Sequence, residues 1–126
     1  QEMALEYVPQ RETFGAPLSS RQSIQWMLVD NEIDIKQSLW ITLEAAAKAE
    51  RGENFRKEAA MAKLVATEAG GRVVDRCMQM FGGLGVAKDL PFERWFREMR
   101  IRRIGEGPSE VQRHVIAREL LGSSLR

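Results

Sequence analysis

A glutamate held between two glycines at the mouth of a helix is the feature of this sequence best suited to do chemistry. It lies in Ile104-Gly105-Glu106-Gly107-Pro108-Ser109-Glu110-Val111-Gln112-Arg113. Gly105 and Gly107 keep side-chain bulk off the backbone, so a ligand can approach the main chain closely. Pro108 suits the first helical position, where its missing N–H costs nothing. Glu110 falls in the first turn, where negative charge is favoured. Glu106 therefore sits on a loop yet is aimed by a rigid element, an arrangement that suits a general base. The same residues also read as a helix cap with a solvated glutamate, and the stretch alone leaves both readings open.

Two further groups have the chemistry of a binding site. In the loop Pro9–Leu18, Arg11 and Phe14 set a guanidinium beside an aromatic ring, a plausible grip on a phosphate and a flat ring. A surface arginine and an anchoring phenylalanine read as well. Downstream, Gln79 precedes Phe81-Gly82-Gly83-Leu84-Gly85. Glycines after a helix are first a C-cap and turn, but they would also let a cofactor lie against bare backbone. No strand precedes them, so this is no dinucleotide fingerprint. Arg94, Arg97, Arg100, Arg102 and Arg103 form either a phosphate patch or a face paired with Glu93 and Glu98. His114 is the single histidine. A histidine-based metal cluster or a Ser-His-Asp triad therefore has little support, and no metal is expected. Cys77, the single cysteine, falls among Val73, Val74 and Met78 and reads as a small buried residue.

These residues need a scaffold, and the sequence predicts a helical one. The 126 residues suffice for one domain with a real core. Hydrophobic residues are 44% and charged residues 29%, an ordinary globular balance. A net charge of +1 gives no global pull toward nucleic acid or an anionic membrane. No apolar run approaches the ~20 residues of a membrane span, and no signal-peptide pattern opens the chain. The start, Gln1 to Val8, reads as the tail of a helix lacking both an initiator methionine and a cap, as in a piece of a longer protein. A long helix is predicted from Ser19 or Ser20 to about Arg51-Gly52. It carries two nearly opposite apolar stripes: Ile24, Leu28, Ile35, Leu39 and Ala46, then Trp26, Val29, Ile33, Trp40, Leu43 and Ala47. Two stripes imply a helix sandwiched between its own bundle and another domain or subunit. A second helix spans about Asn54 to Met80. A third enters at Asp89-Leu90-Pro91 with Phe92, Trp95, Phe96 and Met99 as its core face. The last runs from Pro108 to about Leu121 and stops at Gly122. The predicted class is all-α, an up-and-down four-helix bundle.

Four stretches then fall in order: Arg11-x-x-Phe14-Gly15 with Gln22; Gln79-x-x-Gly82-Gly83-x-Gly85; Asp89-x-Pro91-x-Glu93-Arg94; and Glu106-Gly107-x-Ser109-Glu110-x-Gln112-Arg113 leading to Ala117-Arg118. Together they resemble the C-terminal helical domain of the acyl-CoA dehydrogenase family, over essentially the whole chain.

The resemblance implies that residues 1–126 form a single C-terminal domain. The N-terminal helical domain and the middle β domain of the parent flavoenzyme would then lie outside this sequence. It implies α,β-desaturation of an acyl-CoA thioester in fatty acid β-oxidation, with Glu106 as the base that removes the α-proton while the β-hydride goes to FAD. The backbone N–H of Glu106, beside Gly107, would help polarise the thioester oxygen. It implies FAD contacts from Arg11, Phe14, Gln79, Gly82 and Gly83, largely across a subunit interface, with Thr13, Gln22 and Glu110 as weaker carry-overs. Implied partners are acyl-CoA, an electron-transfer flavoprotein, and further copies in a homodimer or homotetramer. The implied location is the bacterial cytoplasm or the mitochondrial matrix. At Pro108 the family usually has a threonine near the flavin, and proline has neither its hydroxyl nor an N–H. An acyl-CoA oxidase domain and a non-catalytic helical interaction module are the other readings. This polypeptide by itself is expected to have little or no dehydrogenase activity.

Overall fold

Residues 1–124 are described by a computed structural model. They form helix α1 (Glu2–Tyr7), a hairpin of two short strands, β1 (Glu12–Thr13) and β2 (Ala16–Pro17), and then α2 (Gln22–Glu50) and α3 (Arg56–Phe81). The chain continues with α4 (Gly83–Val86), α5 (Phe92–Ile104) and α6 (Ser109–Leu121). The all-α reading holds. α2, α5 and α6 each pack principally on α3, which makes α3 the axis of the domain. Among the described residues no helix is long and apolar enough to cross a membrane.

The start of α2 differs from the sequence reading. Ser19 and Ser20 do not cap it, because Leu18–Ser20 form a separate 3-10 turn in which Ser20 Oγ donates to Pro17 O at 2.7 Å. The helix begins at Gln22 after Arg21, whose backbone is extended. No glycine or proline interrupts the 29 residues of α2, which run to a turn at Gly52.

The apolar stripes of α2 need a larger correction. Ile24 is buried and Leu28 half-buried, but Ile35, Leu39 and Ala46 of the same stripe are exposed. The face turned to α3 is instead partly polar, with Asn31 and Asp34 buried and small Ala45 behind them. Asp34 accepts hydrogen bonds from Arg72 Nε at 3.1 Å and Nη2 at 2.5 Å, and from Arg76 Nη1 at 2.7 Å. Asn31 accepts from Arg76 Nη1 at 3.2 Å and donates to Cys77 Sγ at 3.5 Å. The Arg72 hydrogen bond, supported by Arg76, holds the Asp34 carboxyl below its ordinary range against the opposing effect of burial. Periodicity misplaced the seam because it counts polar residues as exposed; here they are satisfied pairwise between helices. Trp26 (61% exposed), Val29, Ile33, Trp40 (67%) and Leu43 face away from α3. Apart from half-buried Ala47, the second stripe is thus uncovered in the chain.

The apolar core gathers Ala4, Val8, Ile24, Cys77, Met80, Phe81 and Phe92. Cys77 is buried as read. Tyr7 stacks on Phe81 with centroids 4.0 Å apart, Phe81 meets Phe92 at 4.6 Å, and Phe92 meets Trp95 edge-on at 5.6 Å. This aromatic row ties α1 to the end of α3 and the start of α5, which fixes where the hairpin emerges. Phe92 is buried and Trp95 and Met99 are half-buried, but Phe96 is exposed, so the core face of α5 is narrower than read. Asp89 does not cap α5. At the far end of the α2–α3 pair, Lys48 Nζ lies 2.7 Å from the buried Glu58 carboxylate. That hydrogen bond, with one from its own backbone N–H, brings the Glu58 carboxyl down to about 2.

Candidate active site

The hairpin is built to display Phe14. Thr13 pairs with Ala16 and Glu12 with Pro17, leaving Phe14 and Gly15 as a two-residue loop. Both have positive φ, +51° and +74°, the pattern of a primed hairpin turn, whose twist matches that of the strands. Gly15 takes this conformation at little cost, but phenylalanine does not. Arg21 holds the turn: its Nη2 donates to Thr13 O at 2.6 Å and Phe14 O at 3.5 Å, and its guanidinium lies 5.9 Å from the Phe14 ring centroid. Phe14 is 98% exposed, so apart from the Arg21 guanidinium little inside the chain rewards the ring for its strained backbone. It does not anchor the loop, as one reading held.

Beside the hairpin opens a cleft of about 400 Å³ whose wall includes Arg11, Thr13, Gln79, Gly82 and Gly83. Thr13 lies in β1 with Arg11 just before it; Gln79 is near the end of α3, and Gly82 and Gly83 form its junction with α4. Gly82 closes α3 with φ +59°. A Cβ built at Gly82 or Gly83 would meet no atom within 4 Å, so both glycines leave open space at the cleft. The arrangement offers one guanidinium, one amide and bare main chain, suited to a phosphate-bearing ligand with a planar ring.

Glu106 lies elsewhere, in a second cleft of about 490 Å³ shared with Lys63, Thr67, Ile101, Arg102 and Gly105. Its own φ is +53°. Gly105 before it is extended, and Gly107 after it has φ +89°, a conformation that calls for glycine. The turn is tied down from two directions. Gln112 Nε2 donates to Glu106 O at 3.2 Å and Gly107 O at 3.0 Å. Lys63 Nζ, reaching across from α3, donates to Gly107 O at 2.8 Å and Arg103 O at 3.5 Å. Just past the turn, buried Ser109 donates to Glu68 Oε1 at 2.6 Å, and Glu68 also pairs with Arg103 at 2.8 Å. The Ser109 hydroxyl, then the Arg103 guanidinium, hold the Glu68 carboxyl below its ordinary range despite desolvation. The exposed Glu106 side chain makes no hydrogen bond or ion pair among the described residues, and no side chain caps α6. The capping half of the helix-cap reading of Glu106 therefore fails, while its solvated glutamate agrees with the exposed side chain. What remains is a free carboxylate on a strained, firmly held turn.

The structure thus brings Arg11, Thr13, Gln79, Gly82 and Gly83 together, while Phe14, the residue after Thr13, stands exposed on the hairpin turn and does not line the cleft. It brings Glu106 and Gly107 together on another turn. Gln22, the first residue of α2, lines neither cleft, nor does Glu110, exposed in the first turn of α6. On α5, Arg97 pairs with Glu93 and Arg94 with Glu98, in line with the ion-paired reading of that face. Sequence reasoning missed Arg21, Lys63 and Glu68. The only local signal for Lys63 is its charge within the alanine-rich run Ala59-Ala60-Met61-Ala62, and its carbonyl partner lies 44 residues away.

Comparisons with known proteins converge on one family. The model of the acyl-CoA dehydrogenase C-terminal domain matches residues 1–121. The mitochondrial short-chain specific acyl-CoA dehydrogenase of Bos taurus is 43% identical over 120 residues, covering 95% of this chain and 29% of that protein. Butyryl-CoA dehydrogenase from Megasphaera elsdenii superposes with a TM-score of 0.90 at 39% identity, over 94% of this chain and 31% of that one. PigA, solved as its FAD complex, superposes with a TM-score of 0.91 at 28% identity, over 94% of this chain and 31% of that one. The chain spans less than a third of each relative's length. The fold, the order of the motifs and the match along nearly all its residues place this chain in the acyl-CoA dehydrogenase C-terminal domain family.

Proposed function

We propose that this chain is the C-terminal domain of a longer FAD-dependent acyl-CoA dehydrogenase and supplies its catalytic base, Glu106. The observation that carries the reading is the Glu106 turn: an unpaired carboxylate at positive φ, at the edge of a cleft, held by partners that touch only its backbone. A proton α to a thioester is weakly acidic, so its base must be positioned and kept from water. The Glu106 carboxylate takes the proton from the α-carbon, and a double bond forms as hydride leaves the β-carbon. Bound flavin supplies the hydride acceptor. The Glu106 backbone N–H, with Gly107 adding no bulk beside it, is available to the thioester oxygen as negative charge builds there.

The residues fit part of a flavin dinucleotide. Arg11 offers a guanidinium for the pyrophosphate, Gly82 and Gly83 offer uncovered backbone, and Phe14 offers a ring face. Thr13 and Gln79 also line the cleft, while Gln22 and Glu110 would act only from outside these clefts. Because Glu106 and the arginine–glycine cleft are separate in one chain, the flavin gripped by Arg11 and Phe14 is read as serving a neighbouring subunit's base. The uncovered apolar face of α2 supports assembly into a homo-oligomer or against the missing domains. Acyl-CoA as substrate and an electron-transfer flavoprotein as acceptor follow from the same reading, as does a mitochondrial or bacterial cytoplasmic location.

The test is Glu106→Gln in the full-length flavoprotein. Loss of turnover with flavin retained supports the base; intact turnover would leave a non-catalytic helical module. Slow reoxidation of the reduced flavin by air separates a dehydrogenase from an oxidase.

A further inference from the structure

The Lys63 ammonium has an unusual set of partners. The side chain is half-buried on α3, yet among the described residues it lies within ion-pairing distance of no carboxylate. Its two acceptors are main-chain carbonyls, Gly107 O at 2.8 Å and Arg103 O at 3.5 Å. Arg103 O is among the last carbonyls of α5, which have no partner within the helix and carry the negative end of its dipole. Gly107 O follows Glu106 by one residue. A single cation from α3 therefore binds both sides of the Glu106 turn. Gln112, the other tether, comes from α6, within six residues of the carbonyls it binds. Among the described residues Lys63 alone connects the carbonyl of Gly107 to the central helix, and it lines the same cleft as Glu106. The left-handed backbone of Glu106 is disfavoured for a side-chain-bearing residue, so the turn needs restraint to keep it.

We propose that Lys63 is a positioning residue for Glu106, holding its turn to α3 so that the carboxylate keeps a fixed place against a substrate. This rests on the reading of Glu106 as the base. Lys63 donates no proton to the reacting atoms; it acts through the Gly107 carbonyl.

The test uses Lys63→Met and Lys63→Arg in the full-length flavoprotein, beside Glu106→Gln. Butyryl-CoA serves as the first probe, or the shortest straight-chain acyl-CoA that the wild type turns over. Lys63→Met is expected to lower kcat about 10- to 100-fold with KM within about threefold, because misplacing a base costs rate more than binding. Flavin content and thermal midpoint stay near wild type. Lys63→Arg, which keeps a cationic donor, regains part of the lost rate. Hydrogen exchange of the segment 104–112 becomes faster in Lys63→Met and stays unchanged in Glu106→Gln. Unaltered kcat or unaltered exchange in Lys63→Met overturns the proposal, as does a fall in kcat matched by loss of flavin. Retained turnover in Glu106→Gln overturns the base reading instead, and the exchange result identifies which of the two has failed.

Discussion

The Phe14 turn and the Glu106 turn solve the same backbone problem in different ways. Each holds a residue with a side chain at positive φ, near +51° and +53°, and each follows or precedes a glycine in the same region. The Phe14 turn is held locally, by strand pairing and by Arg21 only seven or eight residues on. The Glu106 turn is held by α3, more than 40 residues earlier, as well as by Gln112. The difference fits what each side chain is read to do. A ring lying against a flat ligand tolerates some slack, whereas a base loses rate steeply when it is misplaced. A local clasp suffices for the first; the second is bound to the helix on which the rest of the domain packs.

The comparison can be broken most sharply at Glu106. Glu106→Gln in the full-length protein is expected to lower kcat by about 10²–10⁴, the usual worth of a positioned acid–base group, while flavin content stays constant. A parallel fall in bound flavin would mean that the two turns do not divide the work. The converse change, Phe14→Ala, is expected to weaken flavin retention roughly tenfold, or about 1.4 kcal/mol, with kcat of the flavin-loaded enzyme little altered. Dialysis against increasing chaotrope, with absorbance of the released flavin, measures it.

Acid separates the two clasps. Glu68 lies below its ordinary carboxyl range because the folded state favours its ionised form. Its stabilisation is therefore complete above the unfolded value near 4.5 and is lost as pH falls through the lower folded value. Protection factors for residues 104–112 should drop as pH falls below the ordinary glutamate range and through the lowered folded value, and drop less in Glu68→Gln, which lacks the titrating group. The carbonyl-based clasp of Arg21 on residues 13–14 has no acid of its own and should respond less. The smallest effect expected is a gain. Phe14→Asn places a residue that tolerates the left-handed region and should raise stability by about 0.5–1 kcal/mol in urea unfolding, at the expense of flavin binding. No gain would mean that the phenylalanine conformation costs little.

Much of this was legible in the sequence where turn chemistry governs. Glycines around Glu106 and after Gln79 marked both turns, and Arg11 and Phe14 marked the hairpin, because short-range backbone rules act on neighbours. The four long helical segments were legible for the same reason. The seam between α2 and α3 was not, since Asn31 and Asp34 look like solvent-facing residues until Arg72 and Arg76 are brought to them. Nor were the tethers of Lys63 and Glu68, whose meaning lies in contacts over 40 residues apart. The left-handed backbone of Glu106 was likewise invisible, because nothing in its residue type announces it.

One helix carries something from both clefts. Lys63 and Thr67 of α3 face the glutamate, and Gln79 at its other end borders the arginine–glycine wall. α3 has 26 unbroken residues, so the spacing and angular phase between those groups are set by counting residues along a rod. Inserting one residue between Glu68 and Gln79 would lengthen that span by ~1.5 Å and rotate one end against the other by ~100°. Substitutions along this segment leave that spacing intact whereas a change of its length does not, and a deletion scan across it would meet an abrupt intolerance that surface loops lack.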